Sequence, residues 1–220
     1  GGLITCAHIG QFWQGIQAWG TTNQHQYPAN QPTYQGLVVL KNGALIEHAL
    51  VGFTNCRPGV KASRGGVLQV QGTLNETGGT FLNCQRGVEF KKYRNFHPSH
   101  PTLTQNNLSY FRHADFIVND AFRGGDDFDC HVNLWDVVGI PFIQCDLLNE
   151  QTSGASGINE SHKLGAGIVS LDATFSVYGQ CAISLPLCEY GSGLPQPVCP
   201  EQDLRRSRFL GLDHGIHATS

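Results

Sequence analysis

The chain has 220 residues, of which 40% are hydrophobic and only 14% are charged. Its formal net charge of -3 gives no electrostatic basis for binding nucleic acid or an anionic membrane surface. No apolar run reaches the ~18 residues that a membrane span needs. These values predict one domain or one elongated repeat array, with enough apolar residues for a continuous core.

Both ends of the chain have features of an internal segment. The sequence contains no Met, so Gly1 does not mark a translation start, and either a leader has been removed or the chain belongs to a longer protein. Residues 209–218 keep a strand-and-turn pattern without a polar cap, so further protein is expected beyond Ser220. We therefore expect residues 1–220 to form one segment of a larger protein, whose other domains are its partners.

The eight cysteines, an even number without a CxxC pair, favour disulfides in an oxidising compartment over a zinc site. The alternative is a set of buried free thiols, which proteins tolerate well. Residues 179–203 are rich in Cys and Pro and are predicted to form a loop excursion stapled at its base, although the connectivity is left open. The disulfide candidates are Cys6, Cys56, Cys84, Cys130, Cys145, Cys181, Cys188 and Cys199.

Short apolar runs bounded by Gly, Asn or Pro recur along the chain, and helical periodicity is nearly absent. A small motif, Gly followed by a β-branched or aromatic residue, opens many of these runs. The interval from Gly15 to Gly36 is the same as the interval from Gly66 to Gly87. Such a repeat, built from strands with a period of roughly 20 residues, is typical of a β-solenoid.

The predicted fold is therefore all-β, a right-handed parallel β-helix (β-solenoid) with several long surface loops. Coils stacked at ~4.8 Å pair their backbone groups with the coils above and below. Glycine is expected at the corners, where φ is positive, and Asn55, Asn83 and Asn149 are expected to stack corner amides on an Asn of the next coil. A β-sandwich is the competing architecture, but its hairpin turns should be frequent, and Asn42-Gly43 is the one Asn-Gly dipeptide.

Loops that leave a rigid scaffold are where function concentrates. The candidate loops are residues 21–33, 94–105, 124–129, 151–163 and 179–203, and the last of these is the longest. Trp13 and Trp19 are candidate ligand-binding residues, because an exposed indole can stack on a sugar ring. The alternative is that these side chains fill the core or cover an open end of the solenoid.

Several segments together carry a family pattern. They are Phe12–Gly20, Gly43–Ala49, His131–Ile140 and Arg206–Ile216. With them the chain resembles the secreted parallel β-helix proteins of Bacteroidetes-type bacteria, many of which are large surface proteins exported by the type IX secretion system. The similarity runs from about Gly2 to about Ala218. The resemblance implies export, an extracellular position at the cell surface and a larger parent protein.

Parallel β-helices also carry polysaccharide lyases and glycoside hydrolases, which gives the alternative function. Asp126 and Asp127 resemble the paired aspartates of polygalacturonase-like hydrolases and are the catalytic candidates in that alternative. Asn119 and Asp120 lie only a few residues earlier rather than one coil away, so these groups are not expected to stack on one face. We therefore predict no complete catalytic site.

The same acidic stretch is a candidate calcium site. Asp126, Asp127 and Asp129 are closely spaced and offer the hard oxygen ligands that Ca²⁺ prefers. The alternative is a solvated acidic turn. If calcium binds here, it is expected to stiffen the loop rather than to catalyse, and no other cofactor is predicted.

The sequence thus favours a non-catalytic, extracellular structural or adhesin module. Such a module presents loops and a flat β-face to a glycan, to a protein or to another copy of itself. End-to-end self-association through open coil ends predicts elongation that depends on concentration. The alternative is a polysaccharide lyase or hydrolase, which would place carboxylates or an Arg/Lys cluster in a groove on one face.

Overall fold

The structure is a computed structural model that describes residues 1–21, 23–26, 34–56, 64–124, 128–152, 164–182 and 201–220. Its regular elements are almost all strands, and the described part of the chain has no helix with the length and apolarity of a membrane span. A short 3₁₀ helix occupies Glu201–Asp203. The strands are β1 (Leu3–Ile4), β2 (Ile16–Gln17), β3 (Leu37–Lys41), β4 (Ala44–Glu47), β5 (Val51–Thr54), β6 (Val67–Gln71), β7 (Gly79–Leu82), β8 (Arg86–Phe90), β9 (Asn95–His97), β10 (His100–Gln105), β11 (Tyr110–Arg112), β12 (Ala114–Val118), β13 (Cys130–Trp135), β14 (Val138–Ile143), β15 (Asp146–Asn149), β16 (Ala166–Leu171), β17 (Thr174–Tyr178), β18 (Gln180–Cys181), β19 (Leu204–Arg205), β20 (Arg208–Leu210) and β21 (His214–Thr219).

Three parallel sheets account for most of these strands. The first sheet has the order β1-β4-β7-β12-β15-β20, the second β2-β5-β8-β13-β16-β21 and the third β3-β6-β11-β14-β17. The chain visits the first, second and third sheets in turn, and we call one such passage a coil. The prediction of an all-β protein built from parallel sheets is confirmed, and this order is compatible with a β-solenoid.

The short repeat period predicted from the glycine spacing is wrong. Register partners in successive coils lie further apart along the chain, as Asp115 and Asp146 do, and the interval from Ala166 to His214 is longer still. The interval from Gly66 to Gly87 joins two different sheets, because Gly66 precedes β6 and Gly87 lies in β8. The Gly motif therefore recurs within a coil and does not measure its length.

The corners between sheets are made mainly by residues other than glycine. Those with positive φ are Asn42, His48, Asn83, His113, Asp136, Gln144 and Asp172. Each of them except Asn42 donates its backbone N–H to the next coil. His113 donates to the Ile143 carbonyl at 2.9 Å, and Asp136 donates to the Leu171 carbonyl at 2.9 Å. These bonds between coils offset the cost of the left-handed conformation, so the expectation of glycine at the corners holds only in part.

One predicted corner amide does stack on the next coil. Asn83 Nδ2 donates to Asn119 Oδ1 at 2.8 Å, and Asn83 Oδ1 accepts from the Asn119 backbone N–H at 2.9 Å. Asn55 donates instead to the carbonyls of Arg64 and Lys91, both at 2.9 Å. For Asn149 the acceptor is the Leu164 carbonyl at 3.0 Å. The amide ladder is therefore confirmed at Asn83 and wrong at the other two positions, where the neighbouring loops supply carbonyl acceptors.

The glycines of the second sheet make room for phenylalanine rings of the first. Gly52, Gly87 and Gly167 occupy equivalent register positions, and a Cβ built on them would lie 2.7, 2.7 and 2.6 Å from ring carbons of the first sheet. The rings belong, in that order, to Phe81, Phe116 and Phe209. His131 takes the glycine position in one coil, where the first sheet carries the smaller Leu147. Side-chain volumes in facing sheets are thus matched coil by coil.

Two segments leave the parallel sheets and return. β9 and β10 pair antiparallel, so part of the loop predicted at residues 94–105 is a strand pair. β18 and β19 also pair antiparallel, where the chain leaves and re-enters the sheets on either side of residues 183–200, which lie outside the described residues. This second pair brings the segment 204–208 beside the corner that follows β17.

Candidate functional site

A groove of about 680 Å³ runs along the outer surface where the third sheet turns into the first. We call it the corner groove. Residues 73–77, between β6 and β7, form one wall, and the segment 204–208 lines another side. The corner residues His113 and Gln144 lie in the lining together with outward side chains of β12 and β15. Its charged residues are Glu76, Asp115, Asp146, Arg205, Arg206 and Arg208.

Two carboxylates lie in register in this groove. Asp115 and Asp146 are partners on the neighbouring parallel strands β12 and β15, so their Cα atoms are about 4.8 Å apart and both side chains point outward. Arg208 binds both oxygens of Asp146, through Nε at 2.8 Å and Nη2 at 2.5 Å. This fork is the usual contact of an ionised carboxylate.

The environment of Asp115 differs from that of its neighbour. Burial raises the pKa of the Asp115 carboxyl, and the nearby Asp146 charge acts in the same direction. The hydroxyl of Thr77, which donates to Asp115 Oδ2 at 3.1 Å, and the Arg208 charge both oppose this rise in pKa. The corner groove thus contains one carboxyl that holds a proton more readily than usual, beside one that an arginine binds in its charged form.

Neutral polar groups complete the groove at the corner. His113 is buried and shares a hydrogen bond of 2.8 Å with Gln180 Oε1, and burial lowers the pKa of its imidazole. The side chain of Gln144, one coil further on, lines the groove as well. Its Oε1 is shielded from water and has no hydrogen-bond partner among the described residues.

Charge at the rim comes from exposed side chains. Arg206 pairs with Glu201 outside the groove. Neither Arg205 nor Glu76 has a side-chain partner within the part of the chain that the structure describes. The sequence pattern did not reveal this site. Arg205, Arg206 and Arg208 form a basic cluster in the sequence, but only the fold brings them beside two aspartates.

The two tryptophans predicted to bind ligand have different environments. Trp13 packs against the core, and its indole N–H donates to the Glu47 carbonyl at 2.8 Å. Trp19 is 44% exposed, and the Arg64 guanidinium lies 5.6 Å from the centroid of its ring. Trp13 is therefore part of the fold, while binding at the exposed Trp19 stays a prediction.

The predicted acidic site is described only at one end. Asp126 and Asp127, the catalytic and calcium candidates, lie outside the described residues. Asp129 is exposed and accepts from Arg86 Nε at 2.6 Å. Among the residues that are described, no three His, Cys, Asp or Glu side chains come together as a metal site. Calcium binding here stays a prediction.

The disulfide expectation is wrong for the core cysteines. Within the described part of the chain, Cys6, Cys56, Cys84, Cys130 and Cys145 form no disulfide. Burial raises the pKa of Cys84, Cys130 and Cys145 to about 12, so these three behave as small apolar core residues. Cys181 is disulfide-bonded, and Cys188 and Cys199 are not among the described residues.

A pair of histidines lies on the outer face of the second sheet. The rings of His214 and His217 stack with centroids 5.4 Å apart. In an earlier coil Arg86 and Glu89 hold the same two positions and form an ion pair at 2.9 Å. Strand alternation is broken in this sheet, because Gly87 and the residue after it are both buried. Residues three apart can therefore share the outer face.

No family model, characterised protein or solved structure matches the chain. The corner groove is therefore interpreted from its own chemistry.

Proposed function

We propose that this chain is a right-handed parallel β-helix that binds a glycan in the corner groove. The observation that carries the proposal is one open groove that combines carboxylates, guanidinium groups and amide or hydroxyl side chains. Sugar hydroxyls both donate and accept hydrogen bonds, so the carboxylates of this lining can accept from them and its guanidinium and amide N–H groups can donate to them. The first, second and third sheets, visited in turn by the chain, support the β-helix assignment.

The wider setting of the proposal comes from the sequence. The family pattern supports a segment of a secreted surface protein of a Bacteroidetes-type bacterium, acting as an adhesin-like module. The disulfide at Cys181 supports an oxidising compartment, since such bonds persist mainly outside the cytosol. The groove gives the adhesin a place to hold its ligand.

The proposal is tested by retention on immobilised polysaccharides. The purified chain is run through native gels that contain a neutral β-glucan, polygalacturonate or alginate, and its mobility is compared with that in a plain gel. The double variant Glu76→Gln/Arg205→Gln removes two exposed groove charges that have no partner among the described residues, so it should fold normally. We expect it to lose retention on the polysaccharide that retards the parent chain.

The matched control is Trp19→Ala, which removes the exposed aromatic of the rival sugar site. Retention that survives the groove variant and disappears in Trp19→Ala would move the binding site to Trp19. If none of the polysaccharides retards the parent chain, the glycan-binding proposal fails.

A further inference from the structure

Beyond glycan binding, we infer that the corner groove hydrolyses the bound glycan, with Asp115 as the general acid and Asp146 as the nucleophile. This inference rests on the proposed function, because the glycan must first occupy the groove. Its starting point is geometric: the two side chains are register partners on β12 and β15, and both line the same groove.

The separation of the two carboxyls suits one mode of glycoside cleavage. Side chains that leave neighbouring parallel strands in the same direction stay about 5 Å apart. Enzymes that retain the anomeric configuration hold their two carboxyls at about this distance, because one of them attacks the sugar directly. A pair that activates water on the opposite face of the ring needs a wider gap.

The contacts of the two carboxyls assign their roles. Asp146 has both oxygens on Arg208, at 2.8 and 2.5 Å, which is the environment of a charged carboxylate. Asp115 is half-buried and its ordered partner is the hydroxyl of Thr77 at 3.1 Å. Burial also raises the pKa of Asp115, as a proton donor requires.

The reaction then proceeds in two balanced steps. Asp115 gives its proton to the bridging glycosidic oxygen as the bond from that oxygen to the anomeric carbon breaks, and an oxygen of Asp146 forms a glycosyl ester with that carbon. Water then attacks the anomeric carbon and passes a proton to the Asp115 carboxylate, and the ester bond to Asp146 breaks. One water molecule is consumed for each glycosidic bond, and both residues return to their starting states.

The test separates binding from cleavage. The intact chain is incubated with each polysaccharide, and new reducing ends are followed alongside retention in the gel. Asp115→Asn should lower cleavage by about 10²–10⁴-fold, the range that general acid catalysis contributes, while retention persists. Asp146→Asn should lower cleavage at least as much with retention intact, because no glycosyl ester can form. Asp172→Asn is the matched control, because Asp172 sits at another corner with positive φ, which Asn accepts readily. Its cleavage should equal that of the parent chain.

Two further readouts distinguish chemistry from a structural effect. An aryl glycoside with a good leaving group needs no proton, so Asp115→Asn should keep its rate of bond breaking on that substrate. Azide added to Asp146→Ala should attack from the side that the Asp146 carboxylate occupies in the parent chain, and should yield the glycosyl azide of inverted configuration relative to the substrate. Retention without any new reducing ends would overturn the inference and leave the proposed function standing. Absence of retention would overturn both, and cleavage unchanged in the two Asp variants would overturn the inference alone.

Discussion

Substitution of Gly87 by Ala tests the volume matching between the first and second sheets. The new Cβ would lie 2.7 Å from Phe116 Cδ1 and 2.8 Å from the His131 carbonyl oxygen, well inside ordinary contact. Phe116 is fully buried and stacks on Phe81 with centroids 4.9 Å apart, so its ring has little room to move. Overpacking of this kind costs about 1–3 kcal/mol. Part of this cost is offset by the reduced freedom of the unfolded chain, about 0.4–1 kcal/mol.

The assay is urea unfolding followed by far-ultraviolet circular dichroism. Gly87→Ala should lower the free energy of unfolding by about 1–2 kcal/mol, whereas the control Gly2→Ala, which has nothing within 4 Å of its Cβ, should not lower it. The double variant Gly87→Ala/Phe116→Leu should lose less than the sum of its parts, because Leu relieves the clash. Equal stability of the Gly87 and Gly2 variants would refute the idea that this glycine makes room for the ring.

Three other predictions concern the buried polar groups and thiols. Burial lowers the pKa of His131 to about 3 from its usual 6.5, so as the pH falls the unfolded chain binds this proton before the folded chain does. The free energy of unfolding should therefore drop between pH 6.5 and 3, by up to about 1.4 kcal/mol per pH unit. Urea titrations at a series of pH values should show a shallower drop for His131→Gln. Iodoacetamide should label Cys6 in the native chain but should label Cys84 and Cys145 only in denaturant, because burial raises the pKa of the latter two thiols to about 12. Peptide mass spectrometry that detects label on Cys84 or Cys145 in the native chain would contradict their burial. Asn83→Ala should lower the thermal midpoint, because it removes two hydrogen bonds between coils, each worth about 1 kcal/mol; an unchanged midpoint in calorimetry would show that this amide adds no stability.

The strand content and the parallel sheets could be predicted because short apolar runs alternate with turn residues throughout the sequence. The length of a coil could not, because the Gly motif occurs in both the second and the third sheet. The conformation of the corner residues could not be predicted from the sequence pattern either. His113, Gln144 and Asp172 adopt positive φ there, supported by hydrogen bonds to the next coil that no local sequence signal reveals.

The corner groove could be predicted only in fragments. The segments 113–118 and 144–149 resemble each other, and aligning them places Asp115 over Asp146. Whether two such segments stack depends on the coil length, which the sequence pattern misjudged. Arg208 reaches Asp146 from a distant part of the chain, so its part in the site follows from topology alone.

Unequal connections at one corner of the fold have a consequence for protein engineering. Residues 91–109 connect β8 to β11 and contain the strand pair β9–β10, whereas the same corner two coils later is made by residues 172–173 alone. Because the sheets keep their register on both sides, the ladder does not depend on the length of this connection. A foreign peptide grafted between residues 172 and 173 should thus be displayed on the surface at a modest entropic cost that grows slowly with its length.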